Sequence, residues 1–140
     1  MSMWQEFDFE NRILAILADH AGREHHMGPA FLSPYQIAIE FARRFPADFR
    51  ELEQRGFPMG GEGAGVPNSL PQYIAKELSS RLLDGRIRAI EGGFLSSGHM
   101  EDLTFNFGGQ RIRSSLTRSG FDLSLFRTER QSRATGDSAT

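Results

Sequence analysis

The chain has 140 residues, enough for one domain with a substantial buried core, and its net charge of −2 gives no overall attraction to nucleic acid or to an anionic membrane. It contains no cysteine, which excludes disulfides, thiolate catalysis and cysteine-based zinc or iron–sulfur sites. The first residues lack the order of a signal peptide, and no apolar run is long enough to cross a bilayer. We therefore expect a cytoplasmic protein of bacterial or phage origin with no membrane partner.

Two helices are predicted in the first third of the chain. Asp8 is placed to cap the first helix, apolar residues follow at helical spacing, and Gly22 closes it. The second helix has a clear start, with Ser33 as the cap, a proline at the first helical position and Gln36 at the third. Its apolar face is so wide that we expect it to be the central helix, ending before Pro46.

A short helix over residues 47–54 and a glycine-rich loop over 57–68 precede the predicted third helix. That helix begins at the sequence Ser69-Leu70-Pro71-Gln72 and runs to about Leu83. One face carries an apolar stripe and the opposite face is polar. The polar face consists of Gln72, Lys76, Ser79 and Ser80.

The rest of the chain predicts strands. Residues 86–90 alternate in polarity and predict a strand that Gly92 and Gly93 break, followed by irregular chain over 94–100. A hairpin follows, with strands 103–107 and 110–113 joined by Gly108-Gly109, so that Phe105 faces Ile112. Residues 121–125 could add a last strand. Arginine residues on the return strand of the hairpin lie on its outer face.

These elements predict a single α+β domain over residues 1–126, with three main helices, a short extra helix and a small antiparallel sheet that includes a C-terminal β-hairpin. Residues 127–140 are almost devoid of apolar side chains, and we expect them to form a disordered polar tail.

The order of three helices followed by a hairpin resembles that of winged-helix DNA-binding domains. This resemblance implies that the third helix enters the major groove and that the hairpin grips the flanking backbone. The loop between the second and third helices is much longer than the turn of a helix-turn-helix motif. The expected phosphate contacts are Lys76, Arg86, Arg88, Arg111 and Arg113, and the expected base contacts are Gln72, Ser79 and Ser80. The ligand would be DNA or RNA.

The same polar side chains could simply be the solvated faces of a helix and a sheet. In that case the chain is a protein-interaction module, such as a subunit, adaptor or inhibitor of a larger complex. It would bind through an exposed Phe patch around Phe94 and Leu95 or through the glycine-rich loop, whose candidate residues are Gly60, Gly61, Glu62, Gly63 and Gly65. That loop lacks the flanking strand and the lysine of a phosphate-binding loop.

Catalysis is the weakest of the three function classes. His20, His25 and His26 do not have the spacing of a metal site, and we expect no metal and no cofactor. A small enzyme would need a concave pocket that gathers His99, Asp102 or Glu62. The sequence therefore predicts a non-catalytic binding protein and leaves its oligomeric state open.

Overall fold

The computed structural model describes residues 1–22, 25–60, 69–114 and 122–129. These residues form an α+β fold, as predicted. The described helices are α1 (Met3–Glu6), α2 (Phe9–Asp19), α3 (Pro34–Arg44), α4 (Pro46–Gln54) and α5 (Leu70–Leu83); the strands are β1 (Ile90–Leu95), β2 (Thr104–Phe107), β3 (Gln110–Arg113) and β4 (Leu123–Thr128). The predicted count of three main helices is not confirmed, because this part of the chain forms five.

The two best-defined helix starts are the ones that the sequence predicts. At α3 the Ser33 hydroxyl accepts from the Gln36 N–H at 3.2 Å, and the Gln36 side chain accepts from the Ser33 N–H at 2.7 Å, which is a complete capping box. At α5 the Ser69 hydroxyl accepts from the Gln72 N–H at 3.2 Å. Both serines are buried, so these bonds fix where the helices begin within the core.

Asp8 precedes α2 as predicted, but it does not cap the helix with its side chain. Its backbone has a positive φ of 51°, and its carboxylate accepts from the Asn11 side chain at 2.9 Å instead of from a backbone N–H. The left-handed conformation is needed because α1 and α2 meet here with almost no connecting chain.

Helix α1 was not predicted, and it brings the only tryptophan into the core. The Trp4 ring stacks on Phe9 with 5.3 Å between ring centroids, and Phe9 stacks in turn on Phe41 of α3 at 4.9 Å. The Arg81 guanidinium of α5 lies 4.5 Å from the centre of the Trp4 ring. The first residues of the chain are thus packed between the central helices.

The first sheet has β4 at its centre. On one side β4 runs antiparallel to β1, with Ile90 opposite Thr128 and Leu95 opposite Leu123. On its other side, Leu32 exchanges two backbone hydrogen bonds of 2.8 and 2.9 Å with Phe126. The sheet therefore joins the segment before α3 to the two strands that follow α5.

Strand β1 corrects the prediction for residues 86–100. Residues 86–89 are not a strand, and β1 instead contains Gly92, Gly93, Phe94 and Leu95. A β-carbon on Gly92 would lie 3.2 Å from a methyl group of Leu82, and one on Gly93 would touch Phe31 at 3.5 Å. The glycines allow close packing on both faces of the strand and do not break it.

The hairpin forms a separate two-stranded sheet with the predicted register. Phe105 lies opposite Ile112, and the turn residues Gly108 and Gly109 have φ of 57° and 87°, as a two-residue hairpin turn requires. Its inner face packs on the helices: Phe105 stacks on Tyr35 of α3 at 5.0 Å, and Phe107 meets Phe49 of α4 edge-on at 5.8 Å.

Strand β4 extends to Thr128, two residues past the predicted domain boundary at residue 126. Arg127 binds Glu91 of β1 at 2.8 Å, donates to the Met27 carbonyl at 2.7 Å and lies 4.3 Å from the centre of the Phe31 ring. The prediction for residues 130–140 lies outside the described residues. None of the helices described is long and apolar enough to span a membrane.

Candidate nucleic-acid interface

Three of the predicted base- and phosphate-contacting residues line one open groove. One face of α5 carries Gln72, Lys76 and Ser79, which are spaced about one helical turn apart. These side chains face the start of β4 and the start of α3. The groove has a volume of about 330 Å³, and Pro34, Tyr35, Pro71, Ala75, Asp122, Leu123 and Ser124 complete its lining. The structure thus brings together three of the four predicted contact residues that lie on α5.

Lys76 is the exposed cation of this groove, and it is also the only lysine of the chain. The other basic residue of α5, Arg81, is bound to Glu77 at 3.2 Å and covers the Trp4 ring. Arg81 is therefore part of the core packing. The positive charge that α5 offers to a ligand is concentrated at Lys76.

Asp122 adds a negative charge to the same groove, which sequence reasoning missed. Its carboxylate accepts from the Ser97 N–H at 2.8 Å and so ties the start of β4 to the chain that follows β1. The sequence gives no local sign of this, because residues 97 and 122 are brought together only by the pairing of β1 with β4. Asp122 limits how strongly the groove can attract an anion.

Ser80, in the last turn of α5, and Arg86, just after it, come together in a cluster around Asp84. The Arg86 guanidinium binds the Asp84 carboxylate at 2.7 Å and donates to the Ser80 hydroxyl at 3.3 Å. Arg86 is thus already paired with an acid. Arg88 is exposed and follows this cluster on the way to β1.

The hairpin arginines lie on a different part of the surface from the groove. Arg111 is exposed on the outer face of the hairpin, as predicted, whereas Arg113 is half-buried and lies 3.5 Å from Asp102. No hairpin residue is among those that line the α5 groove. The eight predicted residues therefore fall into three groups: the groove, the C-terminal end of α5 with the segment that follows it, and the hairpin.

A second groove, of about 540 Å³, lies between α3 and the hairpin and includes the side chains of His20, Gln36 and Glu40. Burial raises the pKa of Glu40, but hydrogen bonds from Arg44 and Arg43 outweigh it and lower that pKa below its ordinary value. His20 lies 3.6 Å from the same carboxylate. With its charge balanced by Arg43 and Arg44, of which Arg44 also binds Asp19 of α2, Glu40 is suited to hold α2 and α3 together.

Two of the three residues that a small enzyme would need to gather are among those described. His99 is exposed with a positive φ of 62°, and Asp102 is engaged with Arg113. Within the described ranges there is no group of three or more side chains that could hold a metal ion, and His25 and His26 stack on each other at 4.3 Å. Glu62 lies outside the described residues.

The predicted partner loop is described only at its first residue. Gly60 has a positive φ of 103° and lies beside Ser69, whereas Gly61, Glu62, Gly63 and Gly65 lie outside the described residues. The predicted Phe patch is well described: Phe94 is 71% exposed and Leu95 is 42% exposed, at the end of β1.

No family model, curated protein or solved structure matches this chain.

Proposed function

We propose that this protein is a small non-catalytic, winged-helix-like module that binds nucleic acid through the exposed face of α5. The observation that carries the proposal is the row of Gln72, Lys76 and Ser79 along one open groove. Amide and hydroxyl side chains can bond to base edges, and an ammonium group can neutralise a phosphate. Arg88 and the hairpin residue Arg111 are further exposed cations, and both follow this helix in the sequence.

The order of the elements supports the comparison with winged-helix domains. A helix (α2) is followed by a short extended segment at Leu32, then by helices α3 and α5, and then by strands β1 and β4. Leu32 pairs with β4, and β4 pairs with β1, which gives a three-part sheet beside the helices. Helix α4 and the hairpin β2–β3 are additions to this arrangement. In this comparison α5 takes the place of the recognition helix.

A charge reversal on α5 tests the proposal. Lys76→Glu should weaken binding to a generic DNA duplex by roughly tenfold at low salt, because it replaces an attraction to phosphate by a repulsion. The measurement is a fluorescence-anisotropy titration of the full chain at two salt concentrations. Arg50→Glu is the matched control, since Arg50 is an equally exposed cation on α4 and the net charge changes by the same amount.

The proposal is wrong if the wild-type protein fails to bind duplex or single-stranded oligonucleotides even at low salt. It is also wrong if the Lys76 and Arg50 variants lose the same affinity, because the effect would then come from net charge alone. Each phosphate contact adds about −0.9 to the slope of log affinity against log salt. A Lys76 contact therefore predicts a shallower slope for the Lys76 variant.

A substitution at Asp122 is expected to change the affinity for DNA in the opposite direction to Lys76→Glu. Asp122→Asn should strengthen binding to the same duplex by roughly two- to fivefold at low salt, because it removes the negative charge of the groove. The asparagine side-chain oxygen can still accept the bond from the Ser97 N–H. The anisotropy titration measures the change, and unchanged affinity would place the ligand away from this groove.

A protein-interaction module is the second candidate, and one observation favours it. The structure leaves Phe94 and Leu95 exposed next to each other on β1, where a soluble domain commonly buries such side chains. This candidate predicts that a protein partner covers β1, and that polyanions compete poorly for it.

A further inference from the structure

The outer edge of β1 carries exposed apolar side chains. Phe31, Phe94 and Leu95 are three of the six exposed large apolar residues of the described chain, and all three lie at this edge. Among the described residues, β1 pairs only with β4, so its second edge has no strand beside it. Unpaired edges are normally protected by lysine, proline or a bulge, and the sequence of β1 contains none of these.

The hydrogen bonds of β4 determine which backbone groups β1 presents at its free edge. Phe126 directs its N–H and C=O to Leu32, so its neighbours Leu125 and Arg127 direct theirs to β1. Backbone groups alternate in direction along a strand. The N–H and C=O groups of Ile90, Gly92 and Phe94 therefore point outward at the free edge.

We propose that this edge pairs with the same edge of a second copy of the chain, in antiparallel orientation about a two-fold axis at Gly93. In this register, Phe94 of each copy lies directly opposite Gly92 of the other, and both residues have outward-directed backbone groups. The pairing extends the sheet across the dimer. The proposal rests on the second candidate function, a protein-interaction module, and identifies the partner as a second copy of this chain. It does not depend on nucleic-acid binding.

The side chains of β1 complement each other in this register. Gly92 has no side chain on the face that Leu82 covers, so the partner's Phe94 ring would lie beside the glycine and pack against Leu82. On the opposite face, Phe31 lies over Gly93, so the Phe31 rings of the two copies flank the axis. The single charge of the strand, Glu91, is bound to Arg127 and lies opposite Leu95 of the other copy, so like charges do not meet.

The first experiment measures association of the full chain by sedimentation velocity over a wide range of concentrations. We expect a monomer–dimer equilibrium that Phe94→Lys weakens by roughly tenfold or more, because a charge replaces the ring at the centre of the interface. Gln110→Lys is the control, since it adds the same charge to an exposed residue of the other sheet. A wild-type chain that stays monomeric overturns the proposal, as does a dimer that both variants weaken equally.

The absence of cysteine allows the register to be tested directly. Gly93→Cys places two thiols side by side at the axis, within disulfide distance in a non-hydrogen-bonded antiparallel pair. Leu95→Cys places the two thiols about 13 Å apart along the strands. Under mild oxidation we expect a cross-linked dimer for Gly93→Cys and not for Leu95→Cys on a non-reducing gel. The reverse result overturns the register. Loss of nucleic-acid binding in Lys76→Glu has no bearing on either outcome.

Discussion

At the scale of single residues, Glu40 has the densest set of charged partners among the residues described above. Its side chain is 14% exposed, and its carboxylate receives hydrogen bonds from Arg43 and, at 3.1 Å, from Arg44. Arg44 also reaches Asp19 of α2 at 2.9 Å. Arg44 thus links the end of α3 to the end of α2. Burial alone would raise the pKa of Glu40, and the hydrogen bonds from Arg44 and Arg43 lower it.

Glu40→Gln should lower the free energy of unfolding at pH 7 by about 1 kcal/mol, because the arginines lose their charged partner. A carboxyl group with a lowered pKa stabilises the fold above its ordinary value of 4.5, and this contribution disappears as the pH falls through the lower, folded-state value. The difference between the two proteins should therefore vanish in acid. Urea unfolding at pH 7 and below pH 4 measures it. Glu53→Gln, at an exposed site on α4, should change little at either pH.

At the scale of elements, the start of α3 is the place where a helix contacts both the first sheet and the hairpin. Tyr35 at this start stacks on the hairpin, and Leu32 just before it pairs with β4. The Ser33 capping box holds this start in place with two hydrogen bonds. We therefore expect a capping box at this junction of helix, sheet and hairpin to contribute more to the stability of the protein than a capping box at a free helix end.

Ser33→Ala should destabilise the protein by about 1 kcal/mol, since it leaves the part-buried Gln36 N–H of α3 without its acceptor. Ser2→Ala removes the same kind of capping box from the four-residue helix α1, where both capping bonds are exposed, and is the matched comparison. We expect a clearly smaller loss there. Equal losses in urea unfolding would mean that capping acts locally and that the position of α3 in the fold adds nothing.

At the scale of the whole molecule, distant parts of the sequence are joined by the first sheet. The segment at Leu32, strand β1 and strand β4 come from the beginning, middle and end of the described chain, and Arg127 bonds to two of them. The last described residues are thus part of the fold. The Glu129 N–H also donates to the Ala89 carbonyl at 2.8 Å.

A chain that ends at residue 126 should be less stable than one that ends at residue 129 by roughly 2 kcal/mol, because it lacks Arg127 and the last backbone bonds of β4. Thermal unfolding of the two truncated chains, followed by circular dichroism, provides the measurement. Arg127→Ala in the longer chain should reproduce part of the loss. Equal midpoints for the two lengths would show that residues 127–129 add nothing to the sheet.

Local signals explain which parts of this fold could be predicted. The helix starts at Ser33 and Ser69 depend on residues nearby in sequence, and both were predicted at the correct residue. The Gly108-Gly109 hairpin is equally local, and its strand register was predicted correctly. Strand β1 was missed because its glycines resemble a break, and only the distant residues Leu82 and Phe31 show why they are there. For the same reason, the sequence predicted the polar face of α5 but not that the hairpin arginines would lie apart from its groove.

The position of Trp4 makes it an intrinsic fluorescence probe of the fold. Trp4 is the only tryptophan, and its ring packs between Phe9 and the Arg81 side chain of α5. Its fluorescence emission should therefore lie at short wavelength in the native state and shift to longer wavelength when water reaches the ring. Emission therefore reports whether the first residues are docked against α5. Oligonucleotides bound at Lys76, on an exposed part of that helix, should leave the emission maximum unchanged, so ligand binding and unfolding can be followed as separate signals in one cuvette.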